Sequence, residues 1–155
     1  MNQINYLSVS ILVAMGLFAA CSNSKTAKPA AGGSEQLFIY KWILIELEGS
    51  AVASDTKAHL LFYPGQVTRV AGNAGCNRLT GSITLAGESG LKFSPLAVTR
   101  MACMETTVEP QFLKALEKVN DWRVADNELL LYEGNKLLAK FRGVMEASED
   151  GGGPK

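Results

Sequence analysis

Cysteine has the widest chemistry of any residue type in this chain, and it occurs three times, at positions 21, 76 and 103. A thiol can be acylated, bind a soft metal, attack a carbonyl or be oxidised to a bridge, and its surroundings decide which. Cys21 follows an uncharged stretch whose segment Leu7–Ala20 reads LSVSILVAMGLFAA. That run fits the apolar core of an export signal and is too short for a membrane span. The small residues Ala19 and Ala20 stand where a signal peptidase cuts, so Phe18-Ala19-Ala20-Cys21 resembles a lipobox.

Lipid attachment at Cys21, palmitate included, is the use that this position suggests; an ordinary secretory cut nearby would leave a free thiol instead. Each buried acyl methylene is worth about 0.8 kcal/mol, so a multiply acylated terminus anchors stably. Export would place Cys76 and Cys103 in an oxidising compartment, where such a pair is usually bridged. Closing a loop of about 28 residues stabilises a fold by roughly 3.5 kcal/mol on the chain-entropy model. Two buried free thiols and a reactive cysteine are the alternatives.

Other chemistry finds less support. A zinc site needs three or four ligands at recognisable spacing, whereas the chain has no CxxC pair and one histidine, His59, beside Leu60 and Leu61 at the start of a strand. A Cys–His nucleophile pair has no supporting motif. The carboxylates are scattered, with no two placed across one cleft, and the glycines of Gly72–Gly75 are followed by no GK[ST] element that would cradle phosphate. No catalytic residue, metal or cofactor is expected. Fifteen basic and fifteen acidic residues cancel, which leaves no footprint for nucleic acid. No Lys/Arg cluster suggests docking on anionic lipid, so membrane contact falls to the anchor.

The elements that must position the cysteines follow from the patterning. Residues 1–20 are the signal and 21–36 a lipidated flexible tether, small and polar around Pro29 and Gly32-Gly33; 37–143 form one domain and 144–155 a disordered tail. About 110 residues suit a single domain. Phe38–Leu47 (FIYKWILIEL) reads as a central strand, and Leu60–Ala71 as a hairpin turning at Pro64-Gly65. In Gly72–Gly81 (GNAGCNRLTG) the glycines and asparagines point to positive φ in a tight turn or bulge. Short strands follow at Ser82–Leu85 and Leu91–Phe93.

From Thr107 to Asn120 the period changes, with Val108, Phe112, Leu116 and Val119 on one helical face. Thr106 and Glu109 have capping-box spacing, and Pro110 is tolerated in the first turn. A terminal hairpin, ELLLY and KLLAKFR about Gly134-Asn135, closes the domain. The fold class expected is α+β: a strongly curved antiparallel β-sheet or cracked barrel with one amphipathic helix.

Gly75-Cys76-Asn77-Arg78-Leu79-Thr80-Gly81, then Thr99-Arg100-Met101-Ala102-Cys103, then Glu109, Phe112 and Leu116, resembles the META/HslJ family, over about Leu37–Gly143. The resemblance implies a small envelope domain, often on a lipoprotein, associated with heat-shock induction and novobiocin tolerance and with no established enzymatic activity. By fold it also implies likeness to lipoprotein pilotins, whose cracked barrel holds an acyl chain or apolar peptide. Asn77 and Thr99 suit hydrogen bonding around the cysteines. A Cys76–Cys103 bridge would bring Arg78 and Arg100 together as an anion-binding or partner-binding spot.

The function expected is that of a non-catalytic envelope lipoprotein, in the outer membrane, acting in stress tolerance or assembly through an unknown envelope protein. The alternative is a carrier of an apolar ligand, acyl chain or peptide. Replacing the anchor, Cys21→Ser, should release the protein from membranes, because no other segment of the mature chain is apolar enough to hold it; unchanged fractionation would sink the lipoprotein reading.

Overall fold

Alternating apolar and polar side chains give each strand one face for a core and one for solvent, and the structure, a computed structural model, uses that alternation to wrap a barrel. It describes residues 33–103 and 108–145. The signal, Cys21, the tether up to residue 32, Thr106 and the tail from residue 146 lie outside the described residues. The elements are α1 (Glu35–Ile39), β1 (Lys41–Leu47), β2 (Ser50–Ala51), β3 (His59–Tyr63), β4 (Thr68–Asn73), β5 (Arg78–Ala86), β6 (Gly90–Phe93), β7 (Ala97–Val98), α2 (Glu109–Lys118), β8 (Asp121–Ala125), β9 (Glu128–Glu133) and β10 (Lys136–Val144).

Eight of these strands form a closed antiparallel ring, in the order β1, β3, β4, β5, β6, β8, β9, β10 and back to β1. Closure is long on one side, where β1 pairs β10 from Lys41↔Val144 to Leu47↔Ala139 across a register shift between Leu44 and Glu46. It is short between β6 and β8, which share only Gly90↔Asp121, helped by Leu91 N–H to Asn120 O (3.3 Å) and Trp122 N–H to Ser89 O (2.8 Å). β2 folds back on β1, and β7 pairs the first half of β5 while β6 pairs its second half. The fold is barrel-like, as the expected strongly curved antiparallel sheet or cracked barrel implies, but it is largely β rather than α+β, the barrel is closed, and the described residues include two short helices. Alternation marks strands, but closure depends on the terminal hairpin reaching the first strand, which no local pattern encodes.

The interior is filled by side chains. Trp42, Leu44, Leu60, Val70, Leu91, Leu129, Leu131 and Phe141 are all buried from the strands, and α2 adds Phe112, Ala115 and Leu116. The rings of Phe112 and Phe141 lie 5.9 Å apart, which ties the helix to β10. α2 begins two residues later and ends two earlier than its period suggested, and Val119 at its C-cap is already extended. Pro110 stands in its first turn, where its missing N–H costs no helical bond.

Two local readings change. Phe38–Tyr40 is not the start of a strand, because α1 turns Leu37 into the core and Trp42 Nε1 donates to its carbonyl (2.9 Å). Glu35 and Gln36, expected in the tether, belong to that helix. Likewise the segment Gly72–Gly81 is mostly strand: Gly72 and Asn73 end β4, Arg78–Gly81 open β5, and of its three glycines only Gly75 has positive φ (123°). Gly72 is needed for another reason, since a Cβ there would run into the backbone carbonyl of His59 on β3.

Gly72→Ala should therefore force β3 and β4 apart. Urea denaturation should show a loss of about 1–3 kcal/mol, the usual range for overpacking a rigid site. An unchanged midpoint would show that the two strands are not held at this spacing.

Candidate functional site

The turn between β4 and β5 is built by asparagine. Asn73 Oδ1 accepts from Gly75 N–H (2.8 Å) and its Nδ2 donates to Cys76 O (3.2 Å), while Ala74 N–H bonds Asn77 O (2.7 Å). Gly75 takes the positive φ that this turn needs and lies so close to Val108 that a Cβ would stand 3.0 Å from its Cγ1. The turn thus presents Cys76 toward the strap that precedes α2. Cys76 is disulfide-bonded to Cys103, with Cα atoms 6.0 Å apart.

Beside the disulfide, Asn77 is buried and uses its whole polar inventory. Its backbone N–H donates to Glu109 Oε2 (2.7 Å) and its Nδ2 to Glu109 Oε1 (2.8 Å) and Cys103 Sγ (3.2 Å). Its Oδ1 accepts from Thr99 Oγ1 (3.0 Å) and from Met101 N–H (2.7 Å). Thr99 Oγ1 in turn accepts from Arg78 N–H (3.1 Å), and Thr99 N–H bonds Arg78 O (3.0 Å). One side chain therefore joins the β4–β5 turn, the Thr99–Met101 strap and the first residue of α2. Both Glu109 carboxylate oxygens accept from Asn77, and the N-cap of its helix is Val108, which supplies no side-chain bond; Thr106, the expected capping partner, lies outside the described residues. Asn77 is 32 residues away along the chain, where no local spacing shows it as a partner. A buried asparagine's demand for several partners was the signal that could have pointed to it.

Arg78 and Arg100 are brought to one corner by the pairing of β5 with β7 and the bonds of Thr99, and both side chains are exposed. Met101 is exposed between Arg100 and the disulfide. Beside it opens a cleft of about 670 Å³ between Leu47, Ala51 and Val52 on one wall and Cys76, Met101 and Val108 on the other. A second, apolar groove of about 340 Å³ lies between α2 (Leu113, Glu117) and the β6–β7 bend (Phe93, Pro95, Leu96).

Ligand atoms of Cys76, Cys103 and Glu109 lie within 4.8 Å of one another, the spacing of a metal site. The donor set does not fit one in this state, because both sulfurs are bonded to each other and the carboxylate is held by Asn77. The same bridge occupies the thiol that a Cys–His nucleophile would need. His59, on the neighbouring strand opposite Asn73, has its Nδ1 on Lys57 O (2.7 Å).

Asn77→Ala should remove the side-chain bonds to Glu109 Oε1, Cys103 Sγ, Thr99 Oγ1 and Met101 N–H, while the backbone N–H at 77 keeps Glu109 Oε2. Each such bond is worth about 0.5–1.5 kcal/mol net, so thermal unfolding should show a loss of roughly 2–4 kcal/mol. Reducing the disulfide, or either Cys76→Ser or Cys103→Ser, should cost about 2–5 kcal/mol. Non-reducing mass spectrometry should find neither thiol free in the native domain, and two reactive thiols there would overturn the structural role of the bridge.

Two NMR structures share this fold. One is 24% identical, covers 72% of this chain and 95% of its own, and superposes with a TM-score of 0.53. The other, from Burkholderia xenovorans, is 23% identical, covers 92% and 100%, and gives 0.56. No curated protein matches the sequence. The model of the META domain matches residues 35–144, a span that includes every strand of the barrel and the whole Asn77 network, and the chain belongs to that family.

Proposed function

We propose that this META domain is a non-catalytic, lipid-anchored module of the bacterial envelope, in the outer membrane, that acts in stress tolerance or assembly by holding a partner protein at its disulfide end. The observation that carries the reading is what the motif residues do. Cys76, Asn77, Thr99, Cys103 and Glu109 are committed to one another and so hold the Thr99–Cys103 strap rigidly. The strap displays Met101, 63% exposed, beside a cleft and two exposed arginines. An apolar anchor with a charged surround, on a backbone that loses little entropy on binding, is the composition of a recognition surface.

The apolar groove beside α2 favours a second reading, a carrier of an acyl chain or apolar peptide. The filled barrel interior gives such a ligand no room inside, so the groove would have to take it.

A photo-crosslinking residue at Met101 should trap a discrete adduct in cells, and the same residue at Lys92, on the outer wall, should not. The adduct should disappear with Arg78→Glu plus Arg100→Glu while thermal stability is unchanged. Equal trapping at both positions, or trapping indifferent to the arginines, would remove the partner reading; lipid that co-purifies and is displaced by Leu113→Trp would favour the carrier.

A further inference from the structure

The strand register defines two rims. One carries the start of β1 opposite the end of β10 (Lys41↔Val144), together with the β3–β4 turn, because Trp42 pairs Leu60 and Tyr63 runs on past the start of β1. The β5–β6 and β8–β9 turns lie on that same rim, since Thr68 pairs Ile83 and Gly143 N–H bonds Asn127 O (2.8 Å). The other rim carries the β4–β5 turn, the disulfide and the β9–β10 turn.

Six large apolar side chains are exposed among the described residues, and they are not scattered. Ile39 (54%), Tyr63 (42%), Val67 (64%), Val144 (46%) and Met145 (72%) all lie on the first rim, and only Met101 lies on the second. Single exposed apolar residues need no explanation, but five collected at one end of a barrel do. The charges beside them are of both signs: Lys41, Arg69 and Arg142, with Glu35, Glu88 and Asp126. The Arg69 guanidinium stands 5.9 Å from the centre of the Tyr63 ring. An amphipathic aromatic and long basic side chains around an apolar centre suit the boundary between headgroups and acyl chains.

The N-terminal chain enters at this rim as well, because α1 leads directly into β1. We propose that this rim is the membrane-facing surface of the domain, with Ile39, Val67, Val144 and Met145 dipping into the bilayer boundary and the disulfide rim turned away from it. The proposal rests on the lipid-anchor reading for its natural setting. The twelve residues from Cys21 to Gly32 extend at most about 40 Å at ~3.3–3.6 Å each, enough slack for any face of the domain to meet the membrane. The anchor alone therefore fixes no orientation. Once the chain is tethered, the second contact is effectively intramolecular, so even a weak apolar rim sets the pose. Charge steering adds nothing net here, and the contact should persist on uncharged lipid.

The test uses the chain from Cys21 onward, which keeps every described residue, coupled through the Cys21 thiol to a maleimide lipid in phosphatidylcholine vesicles. Coupling supplies the tether whether or not the cell does, so failure here is distinct from failure of the anchor reading, which the fractionation of Cys21→Ser decides. Val67→Trp and Met101→Trp are compared, each against the background of buried Trp42 and Trp122. Lipids brominated near the headgroup end of the acyl chain should quench the tryptophan at 67 at least twofold more than that at 101, and Val144→Trp should repeat the result if the β3–β4 turn tolerates no tryptophan. Equal quenching at the two rims, no quenching at 67 and 144, or crosslinks between copies through Val67 without quenching would overturn it.

Discussion

Asn77 is the constraint on which the rest of the site depends. A buried amide must satisfy two donors and an acceptor, and Asn77 does so with groups from two stretches of chain far from its own turn. The bonds fix two elements: Glu109 sets where α2 begins, while Met101 N–H and Thr99, the latter through Arg78, hold the strap against β5. The disulfide next to it limits how far the unfolded chain can separate the same pieces, while the hydrogen bonds choose their arrangement once folded. Covalent and polar constraints act on one junction by different routes.

That junction matters because the barrel is unevenly closed. The long β1–β10 ladder makes one side continuous, whereas β6 and β8 meet at a single residue pair. Near that weak seam, α2 lies against β6 and packs Phe112 on Phe141 of β10, so it ties together two strands that are not neighbours in the ring. A helix of ten residues has little stability of its own. Its amphipathic burial holds it in place, and Glu109, clasped by Asn77, fixes its first turn. The residues that look most like a chemical site are thus the ones that finish the fold.

The two rims differ in kind. One is polar at its heart, cross-linked, and shows one large exposed apolar side chain next to Arg100; the other is apolar, carries a tyrosine and charges of both signs, and receives the N-terminal chain. The domain thus has two chemically distinct faces, separated by the length of the barrel.

Much of this was determined by the sequence itself. The alternation in Leu60–Ala71, the Gly-Asn turn before KLLAKFR and the helical spacing of Phe112 and Leu116 depend on near neighbours, and the strands, the last hairpin and α2 stand where those patterns put them. The motifs around Cys76 and Cys103 were legible as a family signature for the same reason. What the tertiary structure decided depends on partners far apart in sequence. Whether the sheet stays open or closes is settled by β10 finding β1; whether Phe38 continues a strand or turns into α1 is settled by Trp42 bonding the Leu37 carbonyl. Glu109 reads locally as half of a capping box, yet its carboxylate accepts from the backbone and side-chain amides of Asn77, 32 residues away. The gathering of Ile39, Tyr63, Val67, Val144 and Met145 at one rim is the extreme case: each is an ordinary exposed residue in the chain, and only the strand register makes them neighbours.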